Sequence, residues 1–161
     1  MSKAKVAKGN VPPGLKKGQA NEFTLIMPLK PGGADRMRKK MDDSYEAGVQ
    51  SNSDRIGTLH DMRFVIFDND TRLIFASTYD GDWDAYINDF ATIAPDQIDL
   101  QFGEVEGYPG VRSPDIKDFV AKHQVTATTF YSAYPNATVR DVWKALKIKD
   151  TFNNLLDEAA S

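Results

Sequence analysis

The chain has 161 residues, of which 41% are hydrophobic and 11% aromatic, and this is enough apolar material for the core of one domain. It contains no cysteine, which excludes disulfides, Cys-ligated zinc, iron–sulfur clusters and thiol catalysis. The net charge is −3, but residues 1–20 hold five lysines and no acid, so the rest of the chain carries 15 basic and 23 acidic residues. Because an acidic body repels phosphate backbones, we expect no nucleic-acid partner.

The composition of the N-terminal segment predicts where the domain begins. Residues 1–21 combine lysine with glycine and proline and offer little apolar surface, which predicts a flexible lysine-rich tail before a single domain over residues 22–161. No apolar run approaches the roughly 18 residues of a membrane-spanning helix, and the N-terminus lacks the apolar core of a signal peptide. We therefore expect a cytoplasmic protein with no membrane span.

The first predicted elements are a strand and a helix. Apolar and other side chains alternate from Phe23 to Leu29, which predicts a strand, and the sequence Pro-Gly-Gly at 31–33 ends it. Residues 34–48 place apolar side chains at helical spacing and predict an amphipathic helix. Residues 51–57 are polar and end in glycine, which predicts a loop.

The strongest strand pattern predicts a β-hairpin over Leu59–Phe67 and Arg72–Tyr79. Asp68, Asn69 and Asp70 lie between the two strands and predict the turn, because Asp and Asn tolerate the left-handed backbone conformation. Apolar side chains occur on both faces of the first strand of this hairpin. A sheet that is apolar on both faces favours a partner sheet, and therefore a homodimer.

A helix and a loop are predicted next. Asp80 or Asp82 is placed to cap a helix that ends or bends at Pro95. Residues 96–112 contain aromatic residues and glycines without a clear period, which predicts an ordered aromatic loop.

The last part of the chain predicts a helix, a strand and a helix. Ser113 is a suitable cap for a short helix ending at His123, and the β-branched and aromatic residues of 125–133 predict a fourth strand. Thr138 is placed to cap a C-terminal helix. Its apolar residues are expected to pack on the domain; they are Val139, Val142, Trp143, Leu146, Phe152, Leu155 and Leu156.

The order of these elements predicts the fold class. It is α+β, with a ferredoxin-like split βαβ antiparallel sheet, an inserted loop and helix, and a C-terminal helix. In this order, residues 23–146 resemble the ferredoxin-like dimeric α/β-barrel superfamily, which includes cofactor-free monooxygenases, haem-degrading monooxygenases and lactone isomerases. The resemblance implies a homodimer whose sheets close face to face, with a pocket for a small apolar or aromatic ligand. The Gly-x-x-Asp-Gly motif of the superfamily's haem peroxidases is absent, because Ser77 stands where its first glycine belongs.

His60, Asp61 and Arg63 are the first candidate catalytic residues. Asp61 and Arg63 are two positions apart in a predicted strand, so they share a face and are expected to form an ion pair in which the guanidinium can orient an anionic or enolate oxygen. Alternation directs His60 to the opposite face, unless the backbone bends at the strand end, where the imidazole could carry a proton. A structural salt bridge and a surface histidine are the alternative interpretations.

His123 is the fourth candidate catalytic residue. It shares the apolar face of its predicted helix with Phe119 and Val120, where it could act as a general base or a haem ligand, or simply bond a backbone carbonyl. The acids Asp80, Asp82 and Asp84 superficially resemble a calcium loop, but the distal bidentate Glu is missing, so helix capping explains them better.

The sequence leaves two functions open. One is a small barrel enzyme, an oxygenase or isomerase acting on an apolar or aromatic acid, that uses no cofactor or, alternatively, haem. The other is a non-catalytic binding or self-assembly module of the same fold. No phosphate-binding loop, dinucleotide fingerprint or Ser-His-Asp order is present, so the sequence does not indicate a kinase, dehydrogenase or serine hydrolase.

Overall fold

The structure of the protein, a computed structural model, describes residues 14–46 and 49–160, and for residues 44–46 and 49–52 the backbone alone. This part of the chain has an α+β fold with one four-stranded antiparallel sheet and six helices. The strands are β1 (Lys16–Lys17), β2 (Ala20–Pro28), β3 (Leu59–Phe67) and β4 (Arg72–Asp80). The helices are α1 (Gly33–Glu46), α2 (Val49–Ile56), α3 (Trp83–Ile93), α4 (Pro95–Phe102), α5 (Ile116–His123) and α6 (Val139–Ala160).

The predicted hairpin is confirmed. Its strands are β3 and β4, and the sheet order β1-β2-β4-β3 places β4 in the centre, antiparallel to both neighbours. Asp68, Asn69 and Asp70 connect the strands with φ angles of 57°, 53° and 65°, which is the left-handed conformation that Asp and Asn tolerate. The turn therefore follows from the side chains expected to form it.

The N-terminal boundary of the domain lies earlier than the sequence predicted. Lys16 and Lys17 form β1 and pair with Asn21 and Ala20, so the end of the predicted tail, residues 1–21, belongs to the sheet. Residues 1–13 of that tail lie outside the described part of the chain. The same holds for residues 47–48, the end of the first predicted helix.

The predicted fourth strand over 125–133 is wrong. Only its first residue, Val125, pairs with β2, by donating its N–H to the Thr24 carbonyl at 2.9 Å. The preceding residue, Gln124, forms an isolated bridge with Leu25. Further along, the Ala127 N–H donates to the buried side chain of Glu22 rather than to a backbone carbonyl. The edge of β2 at this end is paired with β1, which is why a β-prone segment forms no regular strand here.

Two segments predicted as loops contain helices. Residues 51–57 fall largely within α2, and residues 96–112 begin within α4, whose first residue is Pro95. Proline suits the first helical position because its missing N–H would have no helical partner there, and burial of Ile98 and Phe102 adds the stabilisation that the local pattern does not show. Helix α3 ends at Ile93, just before Pro95 as predicted, and Pro95 also begins a further helix.

The hydrophobic core lies between one face of the sheet and the helices α1, α3, α4 and α5. Phe23 and Phe75 of the sheet pack edge to face, and Tyr79 stacks on Tyr86 of α3 with ring centroids 4.0 Å apart. The Ser77 and Tyr86 hydroxyls hydrogen bond at 2.6 Å within this core. We call the opposite side the open sheet face; its central side chains, which are half-buried or exposed, are Thr24, Ile26, Arg63, Val65, Ile74 and Thr78.

A buried carboxylate joins α1 to the end of α4. Glu104 accepts hydrogen bonds from Arg36 Nε at 2.9 Å and from Lys40 Nζ at 2.6 Å, and its side chain is 9% exposed. The Arg36 bond, followed by the Lys40 bond, lowers the pKa of Glu104 from 4.5 to about 2. Because this carboxyl group titrates lower in the folded state, its stabilising contribution is complete above pH 4.5 and is lost as the pH falls toward 2.

We expect Glu104→Gln to lower the free energy of unfolding at pH 7 by about 1–3 kcal/mol, because two buried charge-assisted hydrogen bonds weaken. The difference from the wild type should shrink below pH 4.5 and disappear near pH 2, as measured by urea unfolding across that range. Asp96→Asn on α4 is the control, since the Asp96 side chain is 98% exposed, and it should have little effect. A pH-independent Glu104→Gln effect would contradict the ion-pair explanation.

Candidate functional site

His60 lies at a β-bulge. Leu59 is opposite Tyr79 and Asp61 is opposite Thr78, so His60 is an extra residue between them. The bulge interrupts the alternation of side chains, and His60 Nε2 lies 2.7 Å from Asp80 Oδ1. Since the neighbouring Tyr79 points into the core, Asp80 is on the opposite side of β4, where the open sheet face lies. The expectation that His60 points away from this face was therefore wrong, and the alternative of a bend at the strand end is confirmed.

Asp80 connects this histidine to the C-terminal helix. Its second oxygen, Oδ2, accepts the N–H of Val139, the first residue of α6, at 2.7 Å. The side chain of Asp80 is 7% exposed and that of His60 is 23% exposed. Of the two residues proposed to cap α3, Asp82 does so by accepting from the N–H groups of Asp84 and Ala85, and Asp80 holds α6 instead.

The His60–Asp80 pair has limited chemical capability. When the imidazole is neutral and donates Nε2–H to Asp80, the other ring nitrogen, Nδ1, is an acceptor and can take a proton. Asp80 fixes the ring orientation as a carboxylate does in many acid–base pairs. The same carboxylate also holds the start of a helix, so a structural role accounts for both of its oxygen atoms.

Asp61 and Arg63 form the expected ion pair, with Arg63 Nη1 3.2 Å from Asp61 Oδ1. Their side chains are 52% and 66% exposed, respectively, so water screens the interaction and its contribution to stability is below about 1 kcal/mol. Arg63 also borders an open cleft between α1 and the edge of β3, together with Arg38 and Met41. An open cleft does not desolvate the guanidinium, and strong orientation of an enolate oxygen requires desolvation.

His123 is placed apart from these residues, at the end of α5. Its Nδ1 lies 2.8 Å from the Phe119 carbonyl oxygen, to which it donates, and its ring packs on Phe119 with centroids 4.4 Å apart. This is the backbone-bonded arrangement considered as the alternative to catalysis. The structure therefore brings His60 to Asp80 and Asp61 to Arg63, and it leaves His123 with its own helix.

An apolar cavity of about 40 Å³ lies between the sheet and α3, α4 and α5. It is too small for an aromatic acid, because even benzene occupies engineered cavities of about 150 Å³. It is equally too small for a porphyrin. The side chains around it include neither of the histidines nor Arg63; they are Phe23, Leu25, Phe75, Ile87, Phe90, Ile98, Phe102, Tyr108, Val111, Ile116, Phe119 and Val120.

Metal and membrane sites were also considered. Within residues 14–46 and 49–160, His, Asp and Glu side chains are nowhere grouped in threes that could hold a metal ion. The helices in the described part of the chain are too short or too polar to cross a membrane.

The C-terminal helix α6 carries the largest set of exposed apolar side chains. Its start is well formed, because Thr138 and Asp141 exchange backbone-to-side-chain hydrogen bonds of 3.0 and 3.2 Å in the arrangement of a capping box. Val139 is its one buried residue. The expectation that the later apolar residues pack on the domain was wrong: the exposed ones are Val142, Trp143, Leu146, Ile148, Phe152, Leu155 and Leu156. We call these seven residues the α6 apolar surface.

Comparisons of the chain with family models, with curated proteins and with solved structures found no match. The site must therefore be judged from its own geometry. Sequence reasoning missed three carboxylates that join distant segments: Glu22, Glu104 and the second contact of Asp80. No local pattern could have revealed these contacts, since the partners lie more than 50 residues away. The exposure of α6 had a visible signal, because its apolar residues occupy more than one side of the helix.

We expect Asp80→Ala to lower the free energy of unfolding by about 2–4 kcal/mol, since the substitution leaves the buried N–H of Val139 without an acceptor and removes the partner of His60. Asp61→Ala is the matched control on the neighbouring strand and should cost less than about 1 kcal/mol. Chemical unfolding measures both values. Equal losses for the two variants would show that Asp80 does not anchor α6.

Proposed function

We propose that this chain is a non-catalytic interaction module in which an α+β domain presents α6 for docking. The observation that carries the proposal is the exposure of the α6 apolar surface. Ile148, Phe152 and Leu155 are 59%, 57% and 60% exposed, although side chains of these types are usually buried. Exposed apolar side chains grouped on one side of a helix, as Ile148, Phe152 and Leu155 are, are typical of interaction sites.

The energetics of the helix support this proposal. The 22 residues of α6 extend about 33 Å, and most of the stability of helices in proteins comes from packing of an apolar face. Full burial of a Leu, Ile or Phe side chain contributes about 1.5–3 kcal/mol. A partner covering three or four of these side chains would therefore stabilise the helix and bind at the same time.

The ferredoxin-like fold and a homodimer closed by sheets remain proposals. The order β2-α1-β3-β4-α3, with β4 between β2 and β3, supports a split βαβ arrangement. The partial exposure of Ile26, Val65 and Ile74 on the open sheet face supports a second interaction surface there.

Oxygenase or isomerase activity on an apolar or aromatic acid has less support from the geometry. Such an enzyme needs an enclosed apolar site with a proton carrier and an anion stabiliser next to it. The apolar cavity is about 40 Å³, Arg63 is 66% exposed, and His60 is bonded to the residue that anchors α6. The cavity, Arg63 and His60 therefore do not form one enclosed site. The α6 apolar surface, in contrast, is exposed to solvent and accessible to a partner.

We expect Phe152→Asp to abolish partner binding, because a carboxylate cannot be buried in an apolar contact without a large desolvation cost. Its exposure in the free chain means that the fold itself should tolerate the change, which thermal unfolding checks. Binding is measured by sedimentation velocity of the purified chain and by quantitative co-purification from the native host.

Val65→Asp is the matched control on the open sheet face, where Val65 is 43% exposed. It should leave binding unchanged if docking occurs through α6. If Val65→Asp abolished binding and Phe152→Asp retained it, the docking surface would be the open sheet face and not α6. A wild-type chain that is monomeric and co-purifies with nothing would contradict an interaction module.

A further inference from the structure

We propose that the partner of α6 is α6 of a second copy of this chain, packed antiparallel along one side of the helix. The contact consists of Ala145, Ile148, Phe152, Leu155 and Ala159, which we call the α6 seam. This inference rests on the proposed docking role of α6 and adds the identity and the orientation of the partner.

The spacing of the α6 seam is that of a coiled coil. Its residues are separated by three, four, three and four positions, which is the a and d pattern that keeps a seam facing a partner helix. All five residues are exposed. When Ala145 faces Leu155 of the second copy, the two seams overlap over ten residue steps, or about 15 Å, so we expect a short contact that dissociates on dilution.

The α6 seam points away from the domain. Successive residues of a helix are rotated by about 100°, which places Val142, Trp143 and Leu146 on the same side as the buried Val139 and places the seam on nearly the opposite side. Because Val139 is the one buried residue of α6 and all five seam residues are exposed, a second helix can approach the seam without displacing any described packing.

Side-chain size favours the antiparallel orientation. In a two-fold antiparallel pair, Ala145 faces Leu155 of the second copy and Ile148 faces its Phe152, so small and large side chains alternate across the contact. In a parallel pair each residue faces its own copy. The Ala145–Ala145 and Ala159–Ala159 layers at the two ends of the seam would then be underpacked, and gaps of this kind are destabilising.

Charge favours the same orientation. Lys144 and Glu158 flank the seam on one side, and an antiparallel pair sets each Lys144 beside Glu158 of the other copy, giving two opposite-charge pairs. The cost is one like-charge pair, between the two Lys149 side chains near the two-fold axis. A parallel pair would instead place each Lys144 beside Lys149 of the other copy, giving two like-charge pairs. Antiparallel macrodipoles add to the preference.

An anionic membrane surface is the main alternative for a helix that carries Lys144, Lys147 and Lys149. A helix lying on a membrane needs one apolar side facing the lipid. The α6 apolar surface is divided between two nearly opposite sides, with Trp143 on one and Phe152 on the other. A helix with apolar side chains on two opposite sides cannot bury both in one membrane surface, so a second helix on the side of Phe152 fits this division better.

Cysteine pairing tests the orientation, because the natural chain has no thiol. Ala145→Cys and Leu155→Cys are prepared separately in the full chain and equilibrated in a glutathione redox buffer, alone and mixed. We expect an interchain disulfide in the mixture and little in either variant alone, since residue 145 faces residue 155 of the other copy and a disulfide needs Cα atoms about 4.4–6.8 Å apart. Mass spectrometry identifies the linked peptides.

Lys144→Glu supplies a second test that leaves the seam itself unchanged. It should raise the dimer dissociation constant about 3–10-fold in an antiparallel pair, because two opposite-charge pairs become like-charge pairs. The double variant Lys144→Glu/Glu158→Lys should restore much of the loss. In a parallel pair Lys144→Glu would tighten the dimer, since it would face Lys149. Sedimentation equilibrium measures the three constants.

The results of these experiments distinguish failure of the proposed self-association from failure of the proposed docking role. Disulfides in Ala145→Cys or Leu155→Cys alone, or a tighter Lys144→Glu dimer, would overturn the antiparallel orientation. A chain that stays monomeric in every variant would overturn the second copy as partner, and the docking role is then decided by co-purification with Phe152→Asp. Binding of the wild type to phosphatidylserine vesicles that is lost in Phe152→Asp would overturn the second copy in favour of a membrane surface.

Discussion

The position of the C-terminal helix depends on one carboxylate, that of Asp80. One oxygen of Asp80 meets His60 at the bulge of β3, and the other accepts the first N–H of α6. Because Asp80 lies at the end of the central strand β4, this contact starts α6 from the most constrained part of the sheet. A buried acceptor at a helix N-terminus also complements the positive end of the helix dipole. The rest of α6 then extends from this hydrogen bond, while the bond to His60 fixes the Asp80 side chain.

The molecule has two kinds of apolar surface: one is buried between the sheet and its helices, and the other is exposed along α6. One face of the sheet is covered by α1, α3, α4 and α5, and its aromatic residues fill the core so closely that a cavity of about 40 Å³ remains. Of the residues of α6 only Val139, at its start, is buried, and its later apolar side chains are exposed. The chemistry expected of His60, Asp61, Arg63 and His123 requires one enclosed site, which these residues do not form. The exposed apolar side chains of α6 instead support the proposed docking role.

Sequence patterns predicted those features that depend on neighbouring residues. The hairpin followed from alternation, its turn from Asp68, Asn69 and Asp70, and the α3 cap from Asp82. Features that depend on distant residues escaped. The bulge at His60 reverses a side chain that alternation directs elsewhere, and residues 125–133 lack a strand because β1 pairs with the edge of β2. Helical periodicity correctly predicted α6 but does not reveal what an apolar side packs against.

The central proposal is that the α6 seam is covered by the same seam of a second copy of the chain. Amide hydrogen exchange over residues 148–159, measured from nanomolar to high micromolar protein concentration, tests it most directly. The account predicts that protection of these amides rises with concentration while protection of β4 stays constant, because only the helix pairing depends on dimer formation. Protection of α6 that is identical at every concentration would contradict it.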